Sequence, residues 1–370
     1  MKKNSDINIL IAPLNWGIGH ASRCVPLIEC FLRNNFNVII ASDGRSSEFL
    51  KKEFPHLRHI ELNSYNIQYT KDGKNLVFKI IIQIPKILYA VYKEHQLTKK
   101  IIKNNAIDII ISDNRYGVFN KNVYSVLITH QLCIKMPTKL QLFENFGHYL
   151  LRKKFNKFDE LWIPDFESEI NLSGALSHKY IAHINQHFIG PLSRFNKYEK
   201  SIDTEEKEND ILVLLSGPEP QRSIFEEIII NELKNSTYKT IILRGATEKN
   251  ESYKINNNIT VYSHLSSFEI ASLINNSKIT ISRTGYTSIM DLYVLKAQAI
   301  LIPTPGQTEQ NYLAELIKRN RLFHVVSQDD LKINVISKFL NTKLKRDFFA
   351  HIDDKIINER IENFIHIKKK

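Results

Sequence analysis

The stretch Ile7-Asn8-Ile9-Leu10-Ile11-Ala12, a loop from Pro13 to Gly19, a helical run from His20 to Asn34 and then Asn37-Val38-Ile39-Ile40-Ala41 decide how this chain folds. Both predicted strands are apolar at consecutive positions, the pattern of a parallel strand covered on both faces. Segments of the same kind recur at Ile107–Ser112, Tyr124–Ile128 and Glu160–Ile163. A charged stretch poor in apolar residues, Tyr198–Asn209, follows, and the alternation then restarts. The second round has strands at Asp210–Leu215, Lys239–Leu243, Ile259–Tyr262, Lys278–Ser282 and Ala299–Ile302, with helical segments between them. The expected fold is α/β: two doubly wound Rossmann-like domains, residues 1–195 and 196–370, facing across a cleft and joined by a hinge near 190–209. Leu76–Lys103 reads as a helix broken or kinked near Ile84 by Pro85. From Arg346 onward, Phe348, Phe349, Ile352, Ile356, Ile357, Ile361, Phe364 and Ile365 have the spacing of an amphipathic helix packing back on a domain.

Composition limits the alternatives. With 370 residues, 43% hydrophobic and 24% charged, the chain has material for two cores. No opening stretch resembles a signal peptide, and no apolar run reaches the roughly 18 residues that span a bilayer, so a cytoplasmic protein is expected. Cys24, Cys30 and Cys133 have no zinc-ligand spacing and read as reduced thiols in a core. The net charge of +12 suits an anionic small substrate or an anionic membrane surface, or is plain solubility charge. No nucleic-acid motif accompanies it, so nucleic acid is not an expected partner.

Strand–helix junctions carry the polar residues. Ser282-Arg283-Thr284-Gly285-Tyr286-Thr287-Ser288 joins a strand to a helix whose first turn is crowded with hydroxyls, and Asp291 stands one turn further in. Amide N–H groups and the dipole at such a terminus suit a diphosphate, and Asp291 suits a ribose hydroxyl. The plain alternative is a helix cap. Ser216-Gly217-Pro218 makes a similar anion-friendly turn, Arg244 ends the next strand as a candidate phosphate neutraliser, and His264-Leu265 follows the third as a candidate base reader. Ser266 with Glu269 also reads as a capping box, which needs no ligand. Pro303-Thr304-Pro305 and Glu309-Gln310 close the series. In the first half, Gly17-Ile18-Gly19-His20 lies between the first strand and the first helix. His20 near a helix N-terminus is a candidate neutral base, with Asp113 as its orienting partner or as the base itself. His130-Gln131 lies at the same sheet edge.

In their order along the chain, these motifs resemble GT-B glycosyltransferases of the family 28 kind, which includes MurG-like UDP-N-acetylglucosamine transferases and galactolipid synthases. The resemblance rests on Arg283-Thr284-Gly285-Tyr286 leading to Asp291, on Pro303-Thr304-Pro305 with Glu309-Gln310, on Gly17-Ile18-Gly19-His20 and on His130-Gln131. Trp16 and Ile18 replace family glycines, Asp replaces Glu at 291, and Glu309-Gln310 replaces the common Gln-Gln pair. The resemblance implies an inverting, metal-independent hexosyltransferase that moves a GlcNAc-type sugar from a UDP-sugar to a glycan or lipid-linked acceptor. The implied acceptor side is residues 1–195 and the implied donor side 196–370. It implies no cofactor beyond the UDP-sugar donor, a cytoplasmic location and peripheral contact with the inner face of an anionic membrane. A UDP-sugar hydrolase or epimerase, or a non-catalytic nucleotide-sugar binder, would use the same scaffold.

Overall fold

The computed structural model describes residues 3–65, 76–136, 141–142, 144–182, 184–198, 207–217, 219–246, 251–342, 344 and 355–366. The chain divides into two compact units. One is built from Met1–Gln68, Ile80–Leu192 and Ile352–Lys370, the other from Tyr69–Lys79 and Ser193–His351.

The first unit holds strands β1 (Asn8–Pro13), β2 (Asn37–Ser42), β3 (Arg58–Glu61), β4 (Ile109–Asp113), β5 (Tyr124–Ile128), β6 (Glu160–Ile163) and β7 (Asn185–Phe188). They pair in the order β3-β2-β1-β4-β5-β6-β7, parallel throughout. Helices α1 (Gly19–Arg33), α2 (Gly44–Glu53), α3 (Leu76–Asn105), α4 (Glu144–Phe155) and α5 (Ala175–His178) intervene. The consecutive apolar residues of β1 now have a reason. Ile9 and Ile11 pack into one core with Cys24, Leu27, Ile28 and Phe31 of α1, while Leu10 and Ala12 enter a separate core with Ile107 and Ile110. Each such burial stabilises by about 1.5–3 kcal/mol.

The second unit repeats the plan with β8 (Asn209–Leu214), β9 (Thr240–Leu243), β10 (Ser252–Lys254), β11 (Ile259–Tyr262), β12 (Ser277–Arg283), β13 (Ala299–Ile302) and β14 (His324–Val325). Their order is β10-β11-β9-β8-β12-β13-β14, with β10 antiparallel and the other neighbours parallel. Its helices are α6 (Gln221–Leu233), α7 (Ser267–Asn275), α8 (Tyr286–Val294), α9 (Thr308–Arg319) and α10 (Ile333–Leu340).

Two expectations are corrected. The helix expected to be broken or kinked near Ile84 by Pro85 is not broken there: α3 is continuous from Leu76 to Asn105 with Pro85 inside it. Pro85 is exposed, so water can take up the carbonyl that loses its intrahelical donor. The terminal helix α11 (Lys355–Glu362), with the turn Asn363–His366, belongs to the first unit and not to the second. Ile357, Ile361 and Phe364 are buried in the β1–α1 core, and Phe364 stacks on Trp162 at 5.8 Å. Arg360 Nη1 lies 3.2 Å from His187 Nε2, and Cys30 Sγ donates to Asn358 Oδ1 at 3.1 Å. Of the other apolar positions expected in this helix, Ile356 is exposed, while Phe348, Phe349 and Ile352 lie outside the described residues, as do 199–206 of the expected hinge. The three cysteines are free and buried.

Candidate active site

In each sheet the strand order reverses at one place, and polar residues meet in the crevice beyond the strand ends there. The first reversal lies between β1 and β4, where Pro13 is in register with Asp113 and Leu14 N donates to the Asp113 carbonyl at 3.0 Å. The loop after β1 is therefore tied beside the end of β4. Gly17 takes φ +77°, which L side chains resist, and carries the chain into α1.

His20 sits in the first turn of α1 with Nδ1 2.8 Å from Asp113 Oδ1. Arg23 Nη2 lies 2.9 Å from the same nitrogen; in the tautomer that carries its proton on Nδ1, that nitrogen donates to the carboxylate. Nε2 is then left with a lone pair. Arg23, three residues on and so on the same helix face, grips Asp113 with two nitrogens: Nε donates to Oδ2 at 2.6 Å and Nη2 donates to Oδ1. Arg23 Nη1 is 3.3 Å from His130 Nδ1, and Cys24 Sγ points at Asp113 Oδ2 from 3.7 Å. Asp113 and Arg23 are buried and His20 is slightly open, at 13% side-chain exposure. Burial alone would raise Asp113, but the Arg23 charge and the bonds from Arg23 and His20 hold it well below the usual carboxylate range. Burial, helped by the charges of Arg23 and His130 and opposed by Asp113, lowers His20 below its ordinary value. A neutral imidazole with a free Nε2 can accept a proton.

A second buried network stands next to this one. Arg115 pairs with Asp43 at 2.7 Å and with Glu94 at 2.8 Å, while Glu94 accepts from Tyr65 OH at 2.6 Å and from Gly117 N at 3.1 Å. Asn15 donates to Asp43 at 3.0 Å, so the network also anchors the loop that leads to His20.

The second reversal lies between β8 and β12, where Ser282 is in register with Leu214. That brings the turn Ser216-Gly217 beside Thr284-Gly285. Gly217 has φ +96°, a left-handed conformation suited to glycine, and Pro218 lies outside the described residues. Gly285 is the N-cap of α8 and supplies no side-chain cap, while the buried Thr284 Oγ1 has no hydrogen-bond partner among the described residues. Capping alone therefore does not account for these positions. Tyr286 is buried in the first turn, with Thr287 half-buried after it. Asp291, 9% exposed, accepts a 2.5 Å hydrogen bond from Ser193 Oγ, and burial pushes its carboxyl up to about 6 against the charge of Arg194.

Other expected ligand residues are engaged within the fold. Buried Arg283 donates to the carbonyls of Pro303 and Gln221 and to Gln328 Oε1 at 2.7 Å, over the face of Phe225. It braces the loops at Pro303 and Gln328 and the start of α6 instead of pointing a charge outward. Arg244 is ion-paired with Glu226 at 2.9 Å. Gln310 accepts from Thr304 N at 2.8 Å and donates to Gln307 at 2.6 Å, closing the loop after β13, with Glu309 half-buried beside it in the first turn of α9. The capping box forms, Ser266 N donating to Glu269 at 2.8 Å and Glu269 N to Ser266 Oγ at 3.3 Å. Just before it, beside half-buried His264, Leu265 lines a cavity of about 250 Å³ with Tyr262, Phe268, Glu269, Ser272 and Leu273.

Arg23, Ser193 and Arg194 were not foreseen as site residues. The His20-x-x-Arg23 spacing on one helix was the available signal for Arg23. Nothing local in Ser193-Arg194 foretold its reach to a residue 98 positions on.

Comparison with known proteins agrees with this layout. Residues 221–360 match the glycosyltransferase family 28 C-terminal domain. An uncharacterized glycosyltransferase of Methanosarcina mazei is 21% identical, with 92% of each chain covered. The UDP-N-acetylglucosamine--N-acetylmuramyl-(pentapeptide) pyrophosphoryl-undecaprenol N-acetylglucosamine transferase of Sulfurihydrogenibium sp. is 23% identical over 89% of this chain and 88% of its own. Among solved structures, the glycotransferase of kitacinnamycin superposes with TM-score 0.62 at 13% identity, covering 97% and 98% of the two chains. Acinetobacter baumannii MurG superposes with TM-score 0.56 at 10% identity, covering 98% and 100%. These structural likenesses carry the fold.

Proposed function

We propose that this chain, a GT-B glycosyltransferase bearing the family 28 C-terminal domain, is an inverting, metal-independent enzyme that moves a GlcNAc-type sugar from a UDP-sugar to a glycan or lipid-linked acceptor. The observation that supports the reading is the 2.8 Å contact of His20 Nδ1 with Asp113 at a sheet reversal; with the proton on Nδ1, Nε2 is the base. The acceptor hydroxyl oxygen attacks the anomeric carbon as Nε2 takes its proton. The bond from that carbon to the diphosphate oxygen breaks on the opposite side, and UDP leaves with the electron pair. A positioned base of this kind contributes about 10²–10⁴-fold. Asp113 orients the imidazole and stabilises the imidazolium as it forms.

The donor is read by the second unit. The N-terminus of α8 and the Ser216-Gly217 turn suit a diphosphate, Asp291 a ribose hydroxyl, and the cavity beside Leu265 a base. The Sulfurihydrogenibium relative, whose name states an undecaprenol-linked acceptor, supports both the donor sugar and the acceptor class. Peripheral contact with an anionic membrane is supported by exposed Ile82, Leu88, Tyr89 and Tyr92 on α3 and Phe146, Tyr149 and Leu150 on α4. Lys93 lies over Tyr89 at 4.7 Å and Lys153 over Tyr149 at 4.6 Å, so cations flank the apolar side chains. Among the described residues no helix is long and apolar enough to cross a membrane.

The test is a thermal-shift panel of UDP, GDP, TDP, CMP and NAD, followed by UDP release from UDP-GlcNAc with and without a polyprenyl-linked acceptor. Stabilisation by UDP that Asp291→Ala abolishes, and acceptor-dependent release that His20→Ala abolishes, are expected. Preference for NAD, or free sugar released equally without acceptor, would overturn the reading.

A further inference from the structure

We propose that Ser193 is a positioning residue of the nucleotide site: it holds one oxygen of the Asp291 carboxylate so that the other is presented to the donor ribose. The proposal rests on the reading of Asp291 as the ribose carboxylate. Ser193 begins the main segment of the second unit, Ser193–His351, and both it and Asp291 are buried. Its hydroxyl is fixed at both ends: Oγ accepts from Phe195 N at 3.1 Å and donates to Asp291 Oδ1 at 2.5 Å. With a lone pair taken by a backbone amide, the hydroxyl proton is directed at the carboxylate. Asp291 Oδ2 accepts no hydrogen bond among the described residues, and it is not among the buried polar atoms that lack a partner, so it remains accessible. One oxygen is held and one is offered.

The same contact governs when the offer is made. Burial favours the protonated carboxyl, and the groups that oppose it are the Arg194 charge and the Ser193 hydroxyl. Arg194 is the charged group that bears on Asp291. Without the hydroxyl, Asp291 would bind its proton more tightly and its side chain would lose a fixed rotamer. Nucleotide affinity would then fail at a higher pH than in the wild type.

UDP titration calorimetry from about pH 5 to about pH 8.5 reads this directly. In the wild type, affinity should fall as the solution is acidified through the Asp291 transition. In Ser193→Ala that transition should move to higher pH, lowering affinity at about pH 6 by roughly tenfold, and Ser193→Thr, which keeps the hydroxyl, should move it back. An equal loss of affinity at every pH in Ser193→Ala, or no loss, would overturn the proposal. If Asp291→Ala abolishes UDP binding while Ser193→Ala leaves the transition in place, only the role of Ser193 falls. If wild-type protein binds UDP no better than Asp291→Ala does, the nucleotide reading itself falls.

Discussion

Asp113→Asn and His20→Ala should separate catalysis from stability. Both remove the proposed base arrangement, so each should lower kcat by about 10²–10⁴-fold. Their effects on folding should differ. The Asp113 carboxylate takes two hydrogen bonds from Arg23, and both groups are sealed from solvent. Removing one partner of a buried ion pair costs about 3–5 kcal/mol, because the other charge stays buried without compensation. His20→Ala leaves that pair intact and deletes a partly exposed ring, a change of about 1 kcal/mol. The two tryptophans, Trp16 and Trp162, both lie in the first unit, so their fluorescence in urea follows the unit that holds the mutations. With a denaturant slope of about 2 kcal/mol per molar, the midpoint should drop by roughly 1.5–2.5 M in Asp113→Asn and by roughly 0.5 M in His20→Ala. Equal midpoints in the two variants would refute the argument, since Arg23 would then not depend on Asp113 for its charge.

The remaining expectations are shorter. Because burial lowers His20, the acid limb of kcat/KM should lie below the ordinary histidine value of about 6.5, and stability should rise with pH through that window, since the unfolded chain takes up the proton first. His20→Ala should flatten that rise; a limb above 6.5 would contradict the assignment. Arg283→Met should destabilise the second unit by about 2–4 kcal/mol and weaken UDP binding, because the loops at Pro303 and Gln328 and the start of α6 at Gln221 lose their common donor. Thermal unfolding with UDP titration checks both effects, and unaltered affinity would remove Arg283 from the site. Phe364→Ala should cost the first unit about 3–5 kcal/mol, read again by tryptophan fluorescence. Leu88→Glu with Tyr92→Glu should abolish sedimentation with anionic vesicles while leaving UDP affinity unchanged; undiminished sedimentation would exclude that face.

The central strands were legible because each buries both faces and so carries apolar residues without interruption. The strands that the pattern missed are the four sheet edges: Arg58–Glu61, Asn185–Phe188, Ser252–Lys254 and His324–Val325. An edge strand has solvent on one side and keeps polar residues, so Arg58-His59-Ile60-Glu61 shows no strand period. Junction residues such as His20, Asp113 and Asp291 were legible because a parallel sheet gathers strand ends at one rim. Their partners were harder to see. Arg23 carried a helical spacing, but Ser193 reaches Asp291 only through tertiary folding. Arg283 looked like a phosphate ligand by its neighbours, and only its surroundings reveal a brace. The terminal helix was recognised by its apolar period, which cannot say on which unit that face rests.

That helix has a consequence for how the protein is made. The ribosome delivers the first sheet early, yet Phe364, stacked on Trp162, leaves the exit tunnel only after the whole of Ser193–His351 has been synthesised. Until then the β1–α1 core stands with an open apolar side. The second unit, whose remaining segment Tyr69–Lys79 is made earlier, can close as Ser193–His351 emerges. The unit that holds β1 is thus completed after the second unit, and during translation its uncovered flank is where a chaperone would sit.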